Sequence, residues 1–381
     1  MIKKIKILFV IPSMNAGGAE RITNYLLRNI DKNIFDIYLA LVKKEGVFLS
    51  GLPKSITILN LKKERVLYSI FNLSILFKRL NPDIIYSTFG YMSLAIIIAQ
   101  CLAYKKNRKT IVRESSIPRN NYDAFRLGFF SFILSKASIF RLYSYLFRTM
   151  YNSRIINRII CQSQIMGIQL VEKYKIKKDK IIIINNPVDQ REIIEKAMQC
   201  NEYPVGMGKI RLISIGRLEY VKGMDLLIET IKKLNNEKYH LLIIGDGQEK
   251  EKLKNQIEEL GISERVTLMG FQQNPFGYLY QSDLMVIGSR HDSFPNSLLE
   301  SLALGKPVIA FNCPGGISEM IVPRENGELV EFGNIDALAN KIHTWNREKY
   351  DSKKIMKKTN DKYGLRKIIK LYEEVFLDGR F

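Results

Sequence analysis

The sequence predicts an α/β protein of two Rossmann-like, doubly wound domains facing one another across a cleft. Three observations carry this. Strand-like apolar runs alternate with helix-like runs along nearly the whole chain, the pattern of parallel sheets covered by helices on both faces. The alternation breaks once, between 186 and 208, where the chain turns polar around Pro187, Pro204, Gly206 and Gly208. The 381 residues are enough chain for two domains, each with its own core. The domains therefore read as 1–185 and 209–354, with 186–208 as a linker.

In the first half, KIKILFVI reads as a strand, AERITNYLLRNI as a helix, and FDIYLALV and SITILNL as strands. SIFNLSILFKRL is a helix ended by Asn81-Pro82. DIIYSTF and KTIVRES are strands around the helix-like MSLAIIIAQCLAY, and RIICQS and KIIIINNPVD are the last apolar runs before the break. The second half repeats the pattern: KIRLISIG, helix DLLIETIKKL, YHLLIIGDG, helix KEKLKNQIEEL, RVTLMGF, helix GYLYQSDL, LMVIGS, a central helix, PVIAF and GELVEF. The opening MIKKIKILFVIPS is basic and then apolar, like a signal peptide. Its run is short, interrupted by Lys6 and closed by Pro12, which favours a first β-strand. No run approaches the ~18 apolar residues of a membrane span.

Composition excludes several classes. Four scattered cysteines form no CxxC pair, which favours reduced thiols and a cytosolic setting. The three histidines all lie in the second half, so a histidine-built metal site is not expected. Charge is uneven: residues 1–185 hold 31 Lys/Arg and 10 Asp/Glu, so the whole net charge of +21 belongs to them. One domain is therefore expected to face a polyanion, either an anionic membrane or a nucleic acid. Residues 119–160 combine seven Arg/Lys with ten aromatics, among them Arg126, Lys136, Arg141, Arg148, Phe129 and Phe132. This reads as basic amphipathic helices lying in a membrane interface, or as aromatics packed on the sheet beneath solvated cations.

The most informative stretch is IGSRHDSFPNSLLESLALGKPVI, Ile287 to Ile309. Pro295 suits a first helical turn, Leu298, Leu299, Leu302 and Ala303 repeat at helical spacing, and Gly305 with Pro307 ends the helix. Asp292 then precedes a helix N-terminus and Glu300 projects from its second turn. Free amides there can hold an anion while the two carboxylates grip hydroxyls, which suits a phosphorylated sugar. Arg217 and Lys222 follow another strand and could clamp a diphosphate, or be solvated charges. Gly17 and Gly18 form the first βα turn, either an approach to a phosphate or simply a tight turn; they do not meet GxGxxG. Gly245 and Gly247 end a further strand. Glu319, after CPGG, is a hydroxyl ligand or a dipole partner of the next helix. Arg113, Glu114, Ser115 and Ser116 follow a strand and would face the cleft. There Glu114 could orient an acceptor hydroxyl or pair with Arg113.

Taken together, NAGGAE (15–20), IGRLEYVKG (215–223), GDG (245–247), SRHDSFPNSLLESLALGKPVIA (289–310) and CPGGISEMI (313–321) resemble the GT-B glycosyltransferases of retaining family 4, the type that builds bacterial surface polysaccharides. The resemblance implies a nucleotide-diphosphate-sugar donor, with UDP the commonest carrier. It implies a hydroxyl acceptor on a lipid-linked or growing polysaccharide such as O-antigen, capsule or exopolysaccharide. No metal and no cofactor is required, because protein cations stabilise the leaving diphosphate. Glu300 matches the ribose ligand, Arg217 and Lys222 the diphosphate pair, and Phe294, Pro295, Asn296, Ser297, Leu298 and Leu299 the loop whose amides meet the donor. Gly17, Gly18, Gly245 and Phe271 are placed with the donor as well. A tail helix within 355–381 is expected to cross back to the first domain. Asp292 stands where the family has Glu, and Glu114 where many members have His, so Asp292, Glu300 and Glu114 are the catalytic candidates. The enzyme would work in the cytoplasm, peripheral to the inner face of the membrane. Two other readings remain: a sugar-nucleotide 2-epimerase of the same fold, and a basic nucleic-acid-binding protein, for which no motif is present.

Overall fold

The computed structural model describes residues 3–15, 17–88, 90–103, 108–115, 136–199, 203–204 and 208–378, with backbone alone at 136–143. The chain forms two compact units, Met1–Asn185 with Ile368–Phe381, and Asn186–Lys367.

Unit 1 runs β1 (Ile5–Ile11), α1 (Gly18–Asn29), β2 (Phe35–Leu41), β3 (Thr57–Asn60), α2 (Ile70–Leu80), β4 (Ile84–Thr88), α3 (Gly90–Ala103), β5 (Lys109–Arg113), α4 (Lys136–Asn152), β6 (Ile156–Cys161), α5 (Gln164–Glu172) and β7 (Ile181–Ile183). All strands are parallel, in the order β3-β2-β1-β4-β5-β6-β7. The opening apolar run is β1, buried near the middle of this sheet. The crossovers from β3 through to β7 all step one way, so right-handedness puts α2 to α5 on one face. The packing agrees. Leu73 and Phe77 of α2 and Met92 and Ala95 of α3 cover Leu8, Val10 and Ile85. Phe147 and Tyr151 of α4 cover Val112 and Ile159. Phe9 points to the other face, where its ring meets Tyr86 and Phe376. Asn81, in the left-handed region at φ 47°, closes α2 before Pro82.

Unit 2 runs α6 (Gln190–Ala197), β8 (Ile210–Ile215), α7 (Met224–Leu234), β9 (Tyr239–Ile244), α8 (Lys250–Glu259), β10 (Val266–Gly270), α9 (Phe276–Gln281), β11 (Leu284–Ile287), α10 (Asn296–Ala303), β12 (Val308–Asn312), α11 (Ile317–Met320), β13 (Gly327–Glu331), α12 (Ile335–His343) and α13 (Ser352–Tyr363). Its sheet, β10-β9-β8-β11-β12-β13, is also wholly parallel.

Two boundaries differ from the sequence reading. The supposed linker begins with α6, capped by Asp189, and buries Val188, Ile193, Ala197 and Tyr203 in the unit 2 core. Its prolines and glycines masked a short amphipathic helix. The tail is two helices: α13 lies in unit 2, with Ile355 and Tyr363 in its core, and α14 (Leu365–Leu377) joins unit 1 from Ile368 onward. Ile368, Ile369, Tyr372 and Phe376 are buried, Glu373 accepts from the Asp31 N–H at 2.8 Å, and Asp378 pairs with Arg158 at 2.7 Å.

Candidate functional site

The strand order of unit 2 reverses between β8 and β11, and ligands of such sheets bind at the carboxyl ends of strands flanking that point. Three loops are drawn together there. Gly223, at φ +61°, backs onto the carbonyl of Gly288, and a Cβ would overlap it. This presses the turn after β8 against the loop after β11. Arg290 locks the contact. Its N–H donates to Val221 O at 2.8 Å, its guanidinium donates to both carboxylate oxygens of Asp225 at 2.7 and 2.6 Å, and it lies 3.9 Å over the Tyr220 ring. Gly315, at φ +129°, backs in the same way onto the carbonyl of Asp292, which accepts from the Gly316 N–H at 2.9 Å. The loop after β12 therefore holds the Asp292 backbone at its carbonyl and at its N–H, which donates to Pro314 O at 3.2 Å.

Sequence reasoning grouped Arg217 with Lys222 and Asp292 with Glu300. The structure instead pairs Lys222 with Asp292, Nζ to Oδ2 2.5 Å, with the Asp292 side chain 11% exposed. Arg217 is exposed and donates to Glu219 at 2.7 Å. Local spacing shows two cations near each other but not the carboxylate that folding brings to one of them. Glu300 lies in the second turn of α10, buried. The N-cap of α10 is Pro295, which has no side-chain acceptor, whereas Asp189, Asn334 and Asp351 cap α6, α12 and α13. Among the described residues no acceptor meets the amides of 296–298, so this helix end can receive an anion. Asn186 fixes it, donating to Asn296 Oδ1 at 2.7 Å.

The side chains of Phe294, Leu298 and Leu299 are in the core, with Phe294 edge-on to Tyr363, so only their backbone can reach a ligand. Asn296 and Ser297 are half-buried. Gly245 backs onto the carbonyl of Gly216, closing the β9 loop onto the β8 loop. Phe271 follows β10 and is 62% exposed. Glu319 sits in the first turn of α11, where its charge complements the dipole.

In unit 1, Gly17 caps α1 and the Glu20 side chain folds back over it. Arg113 and Glu114 are adjacent on an extended chain and point to opposite faces, so the expectation that both face a ligand is corrected. Arg113 is buried with Tyr86 and Tyr372 on the α14 side. Glu114, only 2% exposed, points to the side of Gly90, Tyr151 and Phe147. Among the described residues its Oε1 and the Tyr151 hydroxyl have no hydrogen-bond partner. A Cβ on Gly90 would lie 3.4 Å from the Tyr151 oxygen and 3.7 Å from Glu114 Oε1, so the two orphaned groups flank one glycine. Burial pushes the Glu114 carboxyl up to about 8, partly offset by Arg113. Gln162 anchors it, donating to its carbonyl at 2.9 Å. Ser115 is half-buried, and Ser116, Arg126, Phe129 and Phe132 lie outside the described residues. Lys136 and Arg141 belong to the helical backbone of α4, and Arg148 is exposed on it. Among the described residues no group of His, Cys, Asp and Glu is placed to hold a metal, and no helix is long and apolar enough to cross a membrane.

Sequence reasoning missed Arg290, Asp225, Asn186, Gly90 and Tyr151. Each acts through a partner distant in sequence, so no local signal marks it. Only the Gly-Met-Asp opening of α7 hinted that Asp225 sits in a first helical turn.

Two wholly parallel doubly wound units, with a cation–carboxylate pair beside an open helix N-terminus at one switch point, define the GT-B architecture. The comparisons agree. Residues 196–363 match the family of glycosyl transferases group 1, and residues 16–192 match Glycosyltransferase Family 4. The chain belongs to the family 4 glycosyltransferases. It is 27% identical over 276 residues to an uncharacterized glycosyltransferase of Methanocaldococcus jannaschii, covering 69% of this chain and 63% of that protein. It is 31% identical over 175 residues to a Campylobacter jejuni N-acetylgalactosamine-N,N'-diacetylbacillosaminyl-diphospho-undecaprenol 4-alpha-N-acetylgalactosaminyltransferase, covering 46% of this chain and 47% of that protein. The matches thus span about half to two thirds of these relatives. Anabaena HepE, solved in complex with UDP, shares the fold with TM-score 0.77 and 20% identity, covering 98% of this chain and 99% of that one.

Proposed function

We propose that the protein is a retaining glycosyltransferase that moves a sugar from a UDP-sugar to a hydroxyl of a lipid-linked or growing surface polysaccharide. The observation that carries this is the Lys222–Asp292 pair beside the uncapped N-terminus of α10, with Glu300 one turn in. The amides of 296–298 and Lys222 would hold the diphosphate and stabilise the charge that develops as it leaves. Arg217, exposed on the same turn, would swing from Glu219 to the phosphates. Glu300 would take the ribose hydroxyls, Asp292 a sugar hydroxyl, and Phe271 would offer its face to the base. Protein cations do the work of a metal here, so none is needed.

Glu114 and Tyr151 in unit 1 would hold an uncharged acceptor hydroxyl, the buried carboxyl acting while it keeps its proton. The named specificity of the Campylobacter relative for a diphospho-undecaprenol-linked glycan supports a lipid-linked acceptor, and the UDP complex of HepE supports the carrier. The enzyme would then work peripherally at the cytoplasmic face of the membrane.

The test is a thermal-shift panel of UDP, GDP and ADP. UDP alone raises the melting temperature, by about 2.7 kcal/mol of stability at a hundredfold excess over Kd, and Glu300→Ala abolishes the rise. No shift with any nucleotide, or a shift untouched by Glu300→Ala, overturns the donor site.

A further inference from the structure

We propose that the outer face of the α2–α3 helix pair in unit 1 is a docking surface for an anionic lipid bilayer. This names the surface on which a lipid-linked acceptor would be met, and rests on that reading.

Both helices return along one face of a parallel sheet, so they run side by side in the same direction. Their inner faces are in the core through Leu73, Phe77, Met92 and Ala95. Their outer faces are apolar where a solvated helix carries polar residues. Tyr68, just before α2, and Phe71 and Ile75 within it stand outward at spacings of three and four, with Phe71 69% exposed. On α3, Leu94, Ile98 and Leu102 repeat every four residues, with Leu102 52% exposed. None of the 14 residues of α3 is charged. The neighbouring α4 shares a core with Ile97 of α3 and exposes Tyr145 and Leu146 beside Arg148. Scattered exposed apolar residues are ordinary, but two aligned stripes on adjacent helices make a patch.

The charge decides what covers it. Exposed Lys62 and Arg65 precede the α2 stripe, and exposed Lys78 and Arg79 follow it. Among the described residues none of the four has a carboxylate partner. Residues 1–185 carry 31 basic and 10 acidic residues. A second copy seated on this face would set two strongly basic halves against each other. An anionic bilayer offers acyl depth for the stripes and negative headgroups for the flanking cations together.

The experiment is co-sedimentation of the full chain with vesicles of phosphatidylcholine alone or mixed with phosphatidylglycerol. The wild type binds the mixed vesicles, and high salt weakens the binding. Leu94→Glu with Ile98→Glu lowers binding at least about tenfold, as does Lys78→Glu with Arg79→Glu. Met198→Glu, at an exposed apolar position of unit 2, leaves it unchanged. The melting curve of unit 1 is read on every variant beside the UDP shift of unit 2, so a misfolded unit 1 is recognised. Three results overturn the proposal: no binding of the wild type to the mixed vesicles, equal binding by Leu94→Glu/Ile98→Glu, or a wild-type dimer that this variant makes monomeric while no vesicle binds. A chain that shows the UDP shift but ignores vesicles loses the docking surface alone. A chain that binds vesicles through this face yet responds to no nucleotide keeps the surface and loses the donor reading.

Discussion

Each unit holds a carboxyl group at the carboxyl end of its sheet, and the two are kept in different ways. Asp292 in unit 2 has the Lys222 ammonium 2.5 Å away and a backbone held by Gly315 and Gly316. Glu114 in unit 1 is nearly inaccessible, has an Oε1 without a partner among the described residues, and is pushed up to about 8. A buried carboxyl avoids the desolvation cost of its charge either by taking a countercharge or by keeping its proton. Unit 2 takes the first course, and in the proposed function its countercharge, Lys222, would serve a diphosphate. Unit 1 takes the second, and in the proposed function its protonated carboxyl would meet an uncharged hydroxyl.

The sharpest way to break this contrast is Lys222→Ala. Removing a group that stabilises a leaving diphosphate lowers kcat/KM by about 10²–10³-fold, and the UDP shift is lost as well. Transfer within threefold of wild type would show that Asp292, not the nucleotide, is what Lys222 serves. Next comes Gly223→Ala. The left-handed backbone and the overlap with Gly288 cost about 2–3 kcal/mol, read as a lower melting temperature of unit 2, with the UDP shift weakened. An unchanged melting temperature would mean the loops are not stitched as described. Glu114→Gln sharpens the other side. It keeps the UDP shift and lowers kcat by about 10–100-fold. Loss of the UDP shift instead would put Glu114 with the donor and erase the division of labour.

The sequence shows the strands of both sheets and the helix after Phe294 because their periodicity is local: β1 and α10 follow directly from apolar spacing. It hides α6, because Pro187, Pro204 and the glycines around a short helix read as a linker. It names Asp292, Lys222 and Glu114 but not their pairing. Lys222 and Asp292 are 70 residues apart and meet only because β8 and β11 are neighbours in the sheet. It also treats Arg113 and Glu114 alike, although alternation along an extended chain sends one under α14 and the other toward Gly90.

The last expected effect, spread over several pH units, sets the units apart by pH. Glu114 titrates near 4.5 when unfolded and at about 8 when folded. Between these values the native state holds the extra proton, so its contribution is complete at low pH and is lost as pH rises from 4.5 to 8. His240 in β9 is the reverse case. Burial lowers it from 6.5 to about 4, so the native state holds fewer protons and stability is lost as pH falls from 6.5 to 4. Each slope is at most about 1.4 kcal/mol per pH unit. If the whole chain melts as one transition, the two slopes oppose each other between 4.5 and 6.5 and only the Glu114 decline remains above 6.5. Glu114→Gln then removes the fall in melting temperature from pH 6.5 to 8 and uncovers a rise from 4.5 to 6.5. His240→Asn leaves the fall and extends it down to 4.5. If the units melt separately, the Glu114→Gln effect stays in one transition and the His240→Asn effect in the other. A Glu114→Gln protein that still loses stability from pH 6.5 to 8 at the wild-type slope would show that Glu114 is ionised in the fold, and the neutral site in unit 1 would have to be given up.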